Sequence, residues 1–390
     1  MKWENIKSNS DGSLIVPKSW IYPYFYEALN ILFRTENALR VFVYSILKNE
    51  FYDKWSEEQI FQNGKSIGTI STVVEQRKKQ TEKFGYLGYR VSSPMMFLNA
   101  GELIGLIMTN HWILFKPYFN ASKEIVQTKL DEIGDIRNGL AHFRPLRIED
   151  VEVLKTNSSQ ILSGVNEYIN SMLNCHLPVP TNNESEWYKN IKSIGDERIK
   201  FQKDAGSRWI KLVFEYNCLT INYSELFTSW KTFTLTKLNS PSILTHFPLI
   251  RRYITYLSDW VQWLMVFGDS LPQPIIKDLS LIFSEDTLDK YHEIIKEEIL
   301  KIINLIDKET ELILSDNLAK GILIESAQIS LKKLDEEWKL EADSLNSKET
   351  NETELDYWPG IASYNNFITK AKKFPWMPIS ISNFDFRLDK

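Results

Sequence analysis

The strongest constraint on this chain is the helical spacing of its apolar residues through the first 175 positions. Phe25, Leu29, Leu32, Leu39, Val43 and Ile46 recur on one stripe and predict a helix over residues 22–48. Ser56-Glu57-Glu58-Gln59 has the form of a capping box and predicts a second helix running to about Thr81. Gly85 to Pro94 reads as a loop, and Glu102 to Trp112 as a third helical segment. Asn120-Ala121-Ser122 offers N-cap residues for a fourth helix through about Leu140, and Pro145 interrupts it. A further helix carries Val151, Leu154, Ile161, Val165, Tyr168, Ile169 and Met172. No convincing period-two stretch breaks this series, so an all-α bundle is expected.

Pro178, Pro180, Thr181, Asn182 and Asn183 crowd the stretch from His176 to Glu186, which reads as a linker. Beyond it the pattern is mixed. Ile210, Leu212, Phe214, Tyr216 and Cys218 alternate with Lys211, Val213, Glu215 and Asn217, a strand signal. Thr232 to Leu238 is β-prone with weak alternation. Ile295, Ile299, Ile302 and Ile306 restore a helical stripe over Thr287 to Leu314, and Ala319 to Ala342 reads as helix too. Asn346 to Thr353 reads as an exposed loop. Trp358, Phe367, Phe374, Trp376 and Met377 suggest a docked C-terminal tail. The expected fold class is therefore mainly α. A helical bundle spans residues 1–178, and a mostly helical region with a few strands spans 187–390.

Composition excludes several classes. The chain is 43% hydrophobic and 25% charged, as folded globular domains are. A net charge of -5 argues against a general polyanion binder, so any nucleic-acid site must be a local patch. Two cysteines, Cys175 and Cys218, fit a reducing compartment and cannot form a disulfide framework. The opening residues form no apolar h-region, so no signal peptide is expected and a cytoplasmic location is. The apolar stretches near 103–115 and 253–268 are interrupted and short for membrane spans.

Familiar catalytic motifs fail on inspection. Gly64-Lys65-Ser66 invites a P-loop reading, but Gln59 stands where the first glycine must be. None of the five histidines (His111, His142, His176, His246 and His292) pairs with another at metal-ligand spacing. No cofactor and no metal are expected.

One segment carries chemistry. Val126, Leu130 and Ile133 form the inward stripe of the fourth helix, and continuing it lands on Arg137. Asn138 and His142, four apart, share another face and can hydrogen-bond. On the first helix Glu36 falls within the apolar stripe, with Arg40 one turn on. A buried Glu36–Arg137 pair that only locks the bundle is one reading of this. Residues 137–148 also hold Arg144 and Arg147 and no carboxylate. Histidine exchanges protons at neutral pH, and arginine grips phosphate in bidentate fashion. Together they could cleave RNA without metal, the histidine taking the ribose 2′-hydroxyl proton while the arginine neutralises the phosphate.

Arg137-Asn138-Gly139-Leu140-Ala141-His142 resembles the Arg-x4-6-His motif of HEPN domains, which are small α-helical bundles. The string Leu32-Phe33-Arg34-Thr35-Glu36-Asn37-Ala38-Leu39-Arg40 resembles their first helix. Gly101-Glu102-Leu103-Ile104, His111-Trp112 and Phe115-Lys116-Pro117 resemble their middle part. The resemblance covers roughly residues 20–175. It implies a metal-independent endoribonuclease, acting as a dimer and often as a toxin or abortive-infection effector in antiphage defence. On that reading Arg137, Asn138 and His142 are catalytic, Glu36 and Arg40 position Arg137 from behind, and Arg144 and Arg147 hold the RNA backbone. The implied partners are RNA, a second copy of the chain, and a phage-derived trigger or an antitoxin, with no membrane. The second half would be a sensor, a regulator or a substrate selector. The alternative is a non-catalytic interaction or RNA-binding scaffold of the same family.

Overall fold

The computed structural model describes residues 7–8, 10, 14–15, 23–62, 65–84, 94–142, 144, 146–173, 175–227, 229–262, 275–334, 337–343 and 345. The expected loop over 85–93, the expected loop over 346–353 and the aromatic tail beyond it lie outside these residues, as does Gly64.

A two-residue pairing of β1 (Lys7–Ser8) with β2 (Leu14–Ile15) comes first. Helix α1 (Pro23–Phe51) then runs through the centre of the first core, burying Leu32, Leu39, Val43 and Ile46. Leu29, expected on the same inward stripe, is instead exposed. A 3-10 turn (Tyr52–Glu57) follows, and where a helix was expected from Ser56 the chain makes a hairpin. Its strands are β3 (Gln59–Gln62) and β4 (Lys65–Thr69), with Gln62 opposite Lys65. Asn63-Gly64 between them is a dipeptide suited to a two-residue hairpin turn. Helix α2 (Ile70–Phe84) starts only after it.

Next come α3 (Ala100–Gly105), a π-helical turn (Leu106–Asn110), α4 (Trp112–Phe115) and α5 (Lys123–Ala141). Ser122 caps α5, its hydroxyl accepting from the Ile125 N–H at 3.5 Å. The single helix expected over 151–172 is two, α6 (Ile148–Ile161) and α7 (Ser163–Leu173). At the start of α7, Gly164 lies against the Tyr118 carbonyl so closely that a Cβ would sit 2.1 Å from its oxygen.

The expectation of a mainly α chain is overturned: the first half, expected to be all α, contains the pairings β1–β2 and β3–β4, and the second half is built on sheets. After α8 (Glu186–Lys192) the strands are β5 (Ile199–Gln202), β6 (Trp209–Cys218), β7 (Thr220–Phe227) and β8 (Trp230–Leu238). Two short helices follow, α9 (Pro241–His246) and α10 (Pro248–Tyr253), then β9 (Tyr256–Gln262), β10 (Ile275–Ser284) and α11 (Glu285–Leu314). The expected helix over 319–342 is the hairpin of β11 (Ile324–Leu334) and β12 (Glu337–Asp343). These strands form two four-stranded antiparallel sheets, ordered β5-β6-β10-β9 and β12-β11-β8-β7. The isoleucine stripe of α11 is buried among them.

Both faces of the first sheet are used. Ile210, Leu212, Phe214, Tyr216 and Cys218 of β6 point into the second core. Trp209, Tyr256 and Ile282 point out of its other face and join the helical core of the first half. The Trp209 ring meets that of Tyr168 edge-on at 5.5 Å. The segment read as a linker is held to the second half, with the Val179 N–H donating to the Phe201 carbonyl at 2.9 Å. The Lys48 ammonium donates across the junction to the Arg251 carbonyl at 2.8 Å. The Thr255 hydroxyl donates to Asn49 at 2.8 Å.

Candidate functional site

The segment singled out in the sequence forms the C-terminal end of α5. Leu130, Ile133 and Leu140 are buried and hold this helix on α1, α3 and α6. Arg137 lies on the same stripe but is not buried, with 38% of its side chain exposed. Its long stem carries the guanidinium to the rim of the bundle, as charged side chains on apolar surfaces do. There its Nε lies 3.7 Å from Oε2 of Glu36.

Glu36 is the hinge of a small charged network. Its other carboxylate oxygen accepts from Nη2 of Arg40, four residues on along α1. Arg40 is nearly enclosed. It donates Nη1 to Asn37 Oδ1 at 2.6 Å, and Nε and Nη2 to the Leu98 carbonyl at 3.1 and 2.8 Å. Burial pushes the Arg40 guanidinium below its ordinary value; Glu36 opposes this and Arg137 adds to it. The anchor continues through the loop before α3. Arg77 grips Glu102 with both terminal nitrogens, at 2.7 and 2.5 Å, while Glu102 and Asn99 form a capping box. Thus Glu36, Arg40 and Arg137 meet, as expected, but the buried partner of Glu36 is Arg40 and not Arg137.

Asn138 and His142 are both exposed on the outer side of this helix end. Nη1 of Arg137 donates to Asn138 Oδ1 at 3.4 Å. His142 is the C-cap of α5, and its backbone N–H donates to the Asn138 carbonyl at 3.2 Å. Among the described residues no side-chain hydrogen bond joins Asn138 to His142, so the bond expected between them is not formed. Arg144 and Arg147 are exposed too. The Arg144 N–H donates to the Gly139 carbonyl at 2.9 Å, closing the end of α5. Leu146 is buried and pins the connection between them. Arg147 precedes α6, and its N–H donates to the Asp150 carboxylate at 2.8 Å. Arg144 thus meets the motif through its backbone, at Gly139, and Arg147 lies beyond it at the start of α6.

Sequence reasoning missed Asn37, the Leu98 carbonyl and the Arg77–Glu102 pair. The Asn99-x-x-Glu102 spacing was a readable cap signal; the backbone acceptor was not readable at all. Among the described residues no three His, Cys, Asp or Glu side chains are grouped to hold a metal ion. No helix among them is long and apolar enough to cross a membrane. Comparison with protein-family models, with curated proteins and with solved structures finds no match for this chain.

Proposed function

We propose that the protein is a metal-independent endoribonuclease with a HEPN-like centre made of Arg137, Asn138 and His142. One observation carries the reading. Arg137 is held from one side by Glu36, itself clamped by the enclosed Arg40, while the rest of its guanidinium stands open beside exposed Asn138 and His142. A cation drawn to one side by a carboxylate yet reachable by a polymer suits a phosphate diester. The exposed Arg144 and Arg147 extend positive charge along the path such a strand would take.

In this mechanism the ribose 2′-oxygen attacks phosphorus and the bond to the 5′-oxygen breaks. A base removes the 2′-hydroxyl proton, and an acid gives one to the departing oxygen on the opposite side of the phosphate. One chain supplies a single His142. A two-fold homodimer would supply the second, because an isologous contact repeats the same patch. The setting we propose is a cytoplasmic toxin or abortive-infection effector, held in check by an antitoxin or released by a phage-derived trigger.

The test is cleavage of a labelled RNA by the full chain with EDTA present. Products should end in a 2′,3′-cyclic phosphate or a 3′-phosphate. Arg137→Ala and His142→Ala should each lower the rate about 10²-fold or more. Arg147→Ala should weaken RNA binding and flatten its salt dependence. Wild-type cleavage by His142→Ala, or 3′-hydroxyl ends that vanish with EDTA, would sink the proposal.

A further inference from the structure

A cleft of about 530 Å³ opens between the two halves, built from elements other than the motif. That volume is typical of small-molecule sites, roughly 300–1,000 Å³. The floor is mostly polar and uncharged. It consists of the buried Tyr168, Ser284 and Thr287 with Ile46 beside them; Ser284 is the N-cap of α11, and its hydroxyl lies 2.8 Å from that of Thr287. One wall is aromatic and conformationally costly. Tyr52 holds φ 52, in the left-handed region that side chains rarely adopt. This places its ring edge-on to Tyr291 at 5.7 Å and to Tyr253 at 5.8 Å, while Tyr253 and Tyr291 stack at 4.4 Å.

The charges lie at the mouth. Arg208 pairs with Asp286 at 3.2 Å. Lys290 and Glu50, both exposed and both lining the cleft, have no ion-pair partner among the described residues. A ligand complementary to this lining presents a flat ring to the tyrosines, polar edges to the hydroxyl floor, a diol to the Glu50 carboxylate and an anion to the Lys290 ammonium. The mouth is electrically balanced, which suits one phosphate better than a polyphosphate.

We propose that this cleft binds a ribonucleoside monophosphate. The base lies against Tyr52 and Tyr291, the ribose diol is read by Glu50, and the phosphate is held by Lys290 with help from Arg208. The proposal does not rest on the ribonuclease reading, since no residue is shared between the two sites.

The test is titration calorimetry of the full chain with each of the four common ribonucleoside 5′-monophosphates, their 2′-deoxy forms, and tryptophan as a flat zwitterionic control. At least one ribonucleotide should bind saturably at one site per chain. Lys290→Ala should weaken it about tenfold, the loss of one charge-assisted contact. Glu50→Gln should abolish the preference for ribo over deoxyribo. Both substitutions are at exposed positions, and unchanged melting temperatures will show intact folds. Arg137→Ala should leave the binding unchanged. The inference fails if no ribonucleotide binds at millimolar concentration, if tryptophan binds in their place, or if Lys290→Ala and Glu50→Gln bind like the wild type. It also fails if Arg137→Ala removes the binding, since the nucleotide would then be occupying the motif.

Discussion

Removing the Glu36 carboxylate separates its two arginines by what each loses. The Arg40 side chain is only 10% exposed and Arg137 is 38% exposed. Breaking a buried ion pair from one side costs about 3–5 kcal/mol, because a charge is left uncompensated. Arg40 keeps its bonds to Asn37 and to the Leu98 carbonyl, each a partial replacement. Glu36→Gln should therefore lower stability by about 2–4 kcal/mol. The more telling quantity is the coupling. A double-mutant cycle of Glu36→Gln with Arg40→Met should give about 2 kcal/mol. The same cycle with Arg137→Gln should give less than about 1 kcal/mol, as expected for a half-exposed pair at 3.7 Å. Urea unfolding supplies the measurement, with shifts in midpoint at unchanged slope. A coupling to Arg137 as large as that to Arg40 would refute this account of the network.

Three further outcomes follow from the structure. Gly164→Ala should destabilise the chain by about 1–3 kcal/mol or more, because the new methyl meets the Tyr118 carbonyl; a thermal melt checks this. Gly139→Ala, two residues before the end of α5 with open space around it, should instead stabilise by up to about 0.5–1 kcal/mol and leave the proposed RNA cleavage intact. Burial pushes the Asp278 carboxyl above its ordinary range, with Glu215 adding to the shift and Gln262 opposing it. A carboxyl raised in the folded state contributes stability below its unfolded value of about 3.9 and loses it as pH rises through the folded value. Asp278→Asn should therefore gain on the wild type as pH climbs from acid to neutral, read by urea midpoints at several pH values; a constant difference would contradict it.

The readable parts of the fold were those whose environment is one-sided. α11 shows a helical stripe, and β6 alternates over Phe214 to Cys218, because each turns a distinct face to the core there; Trp209 and Val213 bury the other face of β6. The unreadable parts break that condition. β10 is buried on both faces over Leu279 to Ser284, so its sequence is a run without a period. β11 carries helix-favouring Glu, Lys and Leu, which outweighed the alternation of Ala327, Ile329 and Leu331. Long-range pairing with β8 decides its state, and no local window contains that partner. The β3–β4 hairpin did carry a local signal in Asn63-Gly64, obscured by the cap-like Ser56-x-x-Gln59.

At the candidate site the stripe argument placed Arg137 on the inward line of α5 and misjudged its surroundings. Arg137 follows Val126 by eleven residues, three turns of helix, and does point along the apolar line. The line also reaches Leu140, which is buried, so α5 stays packed beyond Arg137. Arginine reconciles the two demands by lying along the packed surface with its charged end at the rim. Glu36 then draws that end toward α1, where a leucine would simply be covered. Full burial would have sealed the guanidinium away from any substrate, and full exposure would have left it free to sweep many directions. Holding a cation half in and half out, by a carboxylate that is itself anchored in the core, gives it direction while leaving it accessible. On the proposed ribonuclease reading, those are the two properties that phosphate recognition would require of it.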